Sequence, residues 1–145
     1  MGSPPFGVEV LRHLLGSSHE IVALITPPDR PRGRGRRIQV SPLVELAREG
    51  RAAIPLLRPA STREEAFTAS LKEFQPDALM VASYGEILDQ SVLDLAPLGA
   101  FNVHASLLPR WRGAAPIQHA LLAGDAQTGV SVQRMVQAQI GTAHA

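Results

Sequence analysis

PDALMVASYGEILDQSVLDLAPLGAFNVHAS, residues 76–106, decides the fold. DALMVAS (77–83) and the stretch 100–104 within AFNVHAS are short apolar runs of strand length, and the residues between them, about 89–95, read as a helix. Strand, helix, strand in so short a span is the unit that lays two parallel strands side by side. Toward the start, a helix fits 62–74, with Thr62 and Glu65 as a capping box, and a short strand fits Ala53–Leu57. A helix over 41–49 is opened by Ser41 as N-cap and Pro42 in the first turn. EIVALIT (20–26) reads as a strand covered on both faces. In residues 5–16, Phe6, Val10, Leu11, Leu14 and Leu15 recur at helical spacing, giving a one-faced helix that stops near Gly16. Toward the end, the loop PRWRG leads to a helix over 114–123 and a strand over 129–135. The alternation predicts one domain, an open α/β fold with a parallel sheet covered by helices.

The 145 residues are 45% apolar and 19% charged, the balance of a globular chain with enough material for a core. No apolar run approaches the ~18 residues of a membrane span, and no charged-then-apolar leader suggests secretion. Cysteine is absent, which removes disulfides, thiol nucleophiles and cysteine-ligated zinc, and suits a cytoplasmic protein. The formal charge of +1 is an average over two unlike regions. PPDRPRGRGRR (27–37), with three prolines and two glycines, reads as a loop and gathers Arg30, Arg32, Arg34, Arg36 and Arg37 with no acid after Asp29. Without those five, nine basic residues face 13 acids. Clustered positive charge on an acidic body is the form in which a polyanion partner is read.

In open parallel sheets, ligands bind beyond the carboxyl ends of the strands. Strand alternation puts Asn102 and His104 on one face at such an end. An amide can donate to a developing oxyanion and an imidazole can move a proton near neutral pH, which suits acyl transfer to an amine. The alternative is that both residues cap the strand and bond the next loop. Gly33-Arg34-Gly35 lacks the third glycine of a dinucleotide fingerprint and follows a proline-rich loop, so that reading is rejected. His104 and His119 have no thiol or carboxylate at ligand spacing, so no metal site is expected. His13, His19 and His119 read as surface residues, and Trp111 as packing over its loop.

FNVHASLLPRWRGAAPIQHALLAGDAQTGVSVQRM (101–135) closely resembles the signature region of the methionyl-tRNA formyltransferase family. The likeness extends to MGSPPF, the TPPDRPRGRGRR loop, SPLVELA and PDALMVASYGEIL, covering roughly residues 1–135. The resemblance implies a Rossmann-like domain that transfers formyl from 10-formyltetrahydrofolate to the amino group of methionine on initiator tRNA. By position, Asn102 would stabilise the formyl oxygen and His104 would act in proton transfer. Ser106, Leu107, Leu108 and Pro109 would border the folate, beside Tyr84, Gly85, Ile87 and Leu88, where the pterin is held largely by backbone groups and apolar contacts. The five arginines would meet the acceptor arm of the tRNA, with Gly33 and Gly35 allowing close approach. No metal is implied, and a monomer is expected.

The chain departs from the family pattern at both ends. Family members begin with an apolar strand, central in the sheet, before the MG[ST]P turn; here Met1 stands at the turn. Near the other end Ile140 takes the place of a catalytic aspartate, and 136–145 reads as a divergent tail. The expectation is therefore an incomplete sheet, without its first strand and the domain's C-terminal part, and little or no activity for the chain as written. Two rivals stand beside this reading. One is another folate-dependent formyltransferase, acting on glycinamide ribonucleotide or an amino-sugar nucleotide. The other is a non-catalytic RNA-binding module or a gene fragment without function.

Overall fold

The computed structural model describes Met1 and residues 5–28, 31–32, 37–38, 40–49 and 53–136, with 31–32 and 37–38 described as backbone only. In chain order these form α1 (Phe6–Leu15), β1 (Leu24–Ile25), β2 (Pro31–Arg32), β3 (Arg37–Ile38), α2 (Pro42–Glu49), β4 (Leu56–Leu57) and α3 (Glu65–Glu73). There follow β5 (Leu79–Ala82), α4 (Gln90–Leu93), β6 (Ala100–His104), α5 (Pro116–Leu122) and β7 (Ser131–Arg134).

Parallel pairing holds where strand–helix–strand units occur: β5 runs parallel to β6, with Leu79 opposite Ala100 and Ala82 opposite Val103, and β1 runs parallel to β4. β7 joins the other side of β6 antiparallel, with His104 opposite Ser131 and Phe101 opposite Arg134. The expected proline–glycine loop is not wholly irregular, because β2 and β3 pair antiparallel across its ends, Arg32 opposite Arg37. Pairing was not legible there because neither two-residue strand has a hydrophobic period.

The expectation that 20–26 is covered on both faces holds for the two residues that pair. Leu24 packs with Leu11 of α1 and Leu43 and Ala47 of α2. Ile25 points the other way, into a cluster with Phe67 and Leu71 of α3, Leu79 and Val81 of β5, and Val92 and Leu93 of α4. Helices thus cover both sides of β1. Leu71, Leu88 and Val92 are fully buried in that second cluster, and each such side chain contributes about 1.5–3 kcal/mol of transfer free energy.

Met1 lies alongside β5: its amino group donates to the carbonyl of Met80 at 2.6 Å, and its carbonyl accepts the N–H of Ala82 at 2.9 Å. Burial pushes this amine down from 8.0 to about 5. A single residue therefore makes strand-like bonds on the β5 edge and packs on the same cluster as Ile25.

Two helix starts differ from expectation. Pro42 does open α2, but the Ser41 hydroxyl is buried without a hydrogen-bond partner among the described residues, so it makes no cap. The Thr62–Glu65 capping box does not form either. α3 begins at Glu65 after Glu64, and Thr62 bonds instead to Glu86, 24 residues away.

Candidate functional site

Because β5 and β6 are parallel, their following loops leave the sheet at one rim. The loop after β5 carries Tyr84, Gly85, Ile87 and Leu88, and the loop after β6 carries Ser106, Leu107, Leu108 and Pro109. β7 runs the other way, so its first residue, Ser131, sits at this same rim beside His104. The sheet thus brings together all the residues expected at a folate and formyl site.

The loop after β6 is held from both sides. Ser106, with no exposed surface, donates its hydroxyl to the carbonyl of Arg110 at 2.7 Å. Ser131 Oγ donates to the carbonyl of Ser106 at 2.8 Å and accepts the N–H of Leu108 at 3.1 Å. The Leu108–Pro109 peptide is cis, and Trp111 and Ala115 lie in the left-handed region at φ 55° and 54°. A left-handed tryptophan is uncommon and marks a backbone held by its surroundings.

That loop returns to the histidine. His104 Nε2 lies 2.8 Å from the carbonyl oxygen of Trp111. A carbonyl can only accept, so Nε2 carries the proton, and in the neutral ring Nδ1 is left as the acceptor. The loop-bonding role weighed for His104 is therefore real, and it sets the tautomer. Asn102, half-buried, makes no side-chain hydrogen bond among the described residues, so its amide is free to donate. Asp125 is engaged elsewhere: it accepts from Trp111 Nε1 at 2.6 Å and from Arg110 Nη2 at 2.9 Å. No carboxylate bonds His104 among the described residues.

Trp111 is more than loop packing. Its ring stacks on His119 of α5, centroids 5.8 Å apart, and the Arg110 guanidinium lies 5.0 Å from its centre. Leu107, Arg110, Trp111 and Asp125, with residues 126–128, line a cavity of about 340 Å³. A larger groove, about 570 Å³, lies at the opposite rim between the residues preceding β1 and β4, and neither Asn102 nor His104 lines either hollow.

In the other loop Ile87 is 48% exposed, whereas Leu88 is fully buried in the core, so only its backbone could meet a ligand. The Tyr84 hydroxyl is buried without a partner among the described residues. Burial and the neighbouring Glu86 charge push it up to about 12, so it stays protonated. Of the five arginines, Arg30, Arg34 and Arg36, like Gly33, Gly35 and Ile140, lie outside the described residues; Arg32 and Arg37 face each other in the β2–β3 pairing. Ser131, Asp125, Thr62 and Glu86 escaped sequence reasoning. For Ser131 a signal existed, since it lies on the alternate-residue face of a strand that ends in the same motif.

The formyl transferase family model matches residues 1–139. A methionyl-tRNA formyltransferase of Pseudomonas syringae pv. syringae (strain B728a) is 52% identical over 134 residues, covering 92% of this chain and 42% of that protein. One from Methylobacillus flagellatus is 51% identical over 137 residues, covering 94% and 44%. The chain thus spans less than half the length of these curated relatives. Among solved structures, phosphoribosylglycinamide formyltransferase from Bacillus halodurans superposes with a TM-score of 0.69 at 21% identity, covering 94% of this chain and 70% of that one. This last likeness shows the fold.

Proposed function

This chain belongs to the formyl transferase family, and on that footing we propose that its Asn102–His104 rim serves formyl transfer from 10-formyltetrahydrofolate to the amino group of methionyl initiator tRNA. The observation that carries the reading is the Asn102 amide, without a side-chain hydrogen bond among the described residues, beside a histidine whose tautomer is already set. The folate would supply the formyl group. As the amine attacks the formyl carbon, Asn102 would donate to the formyl oxygen where negative charge develops. Nδ1 of His104 would take the proton that the amine gives up and return it to the folate nitrogen as its bond to the formyl carbon breaks and tetrahydrofolate leaves. Exposed Ile87 and Leu107 and the backbone of 84–88 and 106–109 would hold the folate. The arginines of 30–37 would neutralise tRNA phosphates.

Residues 1–135 are read as formyltransferase-domain sequence and 136–145 as divergent from it. With no carboxylate on His104 among the described residues, its cation lacks a counter-charge, and proton transfer is slowed. The expected result with purified chain, 10-formyltetrahydrofolate and methionyl initiator tRNA is folate binding with formylation below a few per cent of a longer relative's rate. Formylation at or above that level would overturn the expectation of low activity. Absence of folate binding would overturn the site. The fold shared with glycinamide ribonucleotide enzymes keeps one second reading in view, and faster transfer to glycinamide ribonucleotide than to methionyl-tRNA would establish it.

A further inference from the structure

The loop after β5 has an unusual support. No backbone–backbone hydrogen bond reaches residues 84–88 among the described residues. Its backbone donors and acceptors are therefore free for a ligand, but they are also free to wander. Gly85 has open space where a Cβ would stand. At one end Leu88 is anchored in the core. Between the anchors, the side-chain tie is Glu86, whose Oε2 accepts both the N–H and the hydroxyl of Thr62, each at 2.9 Å. Thr62 is only 1% exposed and Glu86 is half-buried, so this paired acceptance is partly shielded from water. A second, looser contact joins the same segments, Arg63 Nε lying 3.8 Å from Asp89 Oδ1 with both side chains well exposed. The turn that leads into α3 thus grips the loop that follows the next strand.

We infer that Thr62 and Glu86 are positioning residues, which hold the 84–88 backbone in register with a flat, hydrogen-bonding heterocycle such as the fused-ring end of a folate. This rests on the folate reading above and assigns the pair a role in binding the donor, not in the transfer step. A charge-assisted bond to two donors of one residue fixes both direction and distance, which one neutral bond would not. Losing it leaves the loop's anchors intact and its centre unsupported, so binding should fall while the core stays folded.

The test uses the full chain and 5-formyltetrahydrofolate as probe, with affinity from calorimetry and amide exchange followed by mass spectrometry. Glu86→Ala should weaken the probe by about tenfold, the scale of a charge-assisted bond. Thr62→Val, which keeps the N–H and loses the hydroxyl, should weaken it by roughly threefold to fivefold. Thr62→Ser keeps both donors and should stay within about twofold. Exchange at 84–88 should quicken in Glu86→Ala and Thr62→Val, while β5 and β6 keep wild-type protection. If the wild type binds the probe and both variants bind it equally well, the inference fails and the folate reading stands. Equal loss in Thr62→Ser and Thr62→Val would also overturn it. If the wild type does not bind the probe, the folate reading itself fails. Should Glu86→Ala not fold, the two threonine variants decide the matter.

Discussion

Replacing Ser131 by alanine should cost far more than its place on an edge strand suggests. Its hydroxyl donates to the carbonyl of Ser106 and accepts the N–H of Leu108, at 2.8 and 3.1 Å, so one oxygen serves both ends of the loop that carries the candidate site. Each bond contributes about 0.5–1.5 kcal/mol net, and a partly buried group left unpaired costs about 1–3 kcal/mol. Water can reach part of this loop, so the sum is set at about 2 kcal/mol, toward the lower end. Urea unfolding followed by circular dichroism reads it as a lower midpoint at unchanged slope. The control is Val132→Ala on the same strand, whose side chain is 65% exposed and whose loss should stay within about 0.5 kcal/mol. Amide exchange at Leu108 should rise together with the destabilisation. Equal midpoints for the two variants, or an unchanged Leu108 amide, would refute the reasoning that Ser131 bolts the loop to the sheet.

Three further outcomes are expected. With Met1 first and its amine free, stability should fall as pH drops from about 8 to about 5: in this window the unfolded amine binds a proton that the buried one, lowered to about 5, does not. Denaturant titrations should show up to about 4 kcal/mol lost across that window, and acetylating the amine should abolish this part of the slope. Leu88→Ala, at a fully buried position, should cost about 2–5 kcal/mol in thermal or urea unfolding, and a smaller cost would mean that the cluster closes around the gap. Replacing Arg34, Arg36 and Arg37 with alanine should weaken RNA binding and flatten its salt dependence by about 2–3 units of log–log slope, as filter binding over a salt series would read; unchanged affinity would exclude the loop from the interface.

Local pattern was enough for the elements that position the site. β6 spans Ala100–His104, as its apolar run and the following Ser-Leu-Leu-Pro require, and β5, α1 and α2 lie inside their expected bounds. Asn102 and His104 lie on β6 at its carboxyl end, a position that strand alternation makes readable from one segment. What sequence could not deliver is set by partners distant in the chain. Thr62 forsakes the local capping box because a carboxylate 24 residues on offers its two donors one acceptor. β1 shortens to two residues because a strand extends only as far as its neighbour pairs, here Leu24–Leu56 and Ile25–Leu57. Trp111 and Asp125 meet across 14 positions that include α5, a contact no periodicity encodes. The direction of β7 was equally hidden, since alternation is the same read either way.

That reversal has a consequence for how the architecture can change. Three connections, after β5, after β6 and before β7, end on one rim although they are well separated in sequence. The chain that leaves β7 exits at the far rim, where the N–H of Met135 bonds the carbonyl of Ala100. Insertions in the connections after β6 or before β7 would remodel the cavity that Leu107, Arg110, Trp111 and Asp125 line, whereas the chain past Met135 starts its path on the side away from Asn102 and His104.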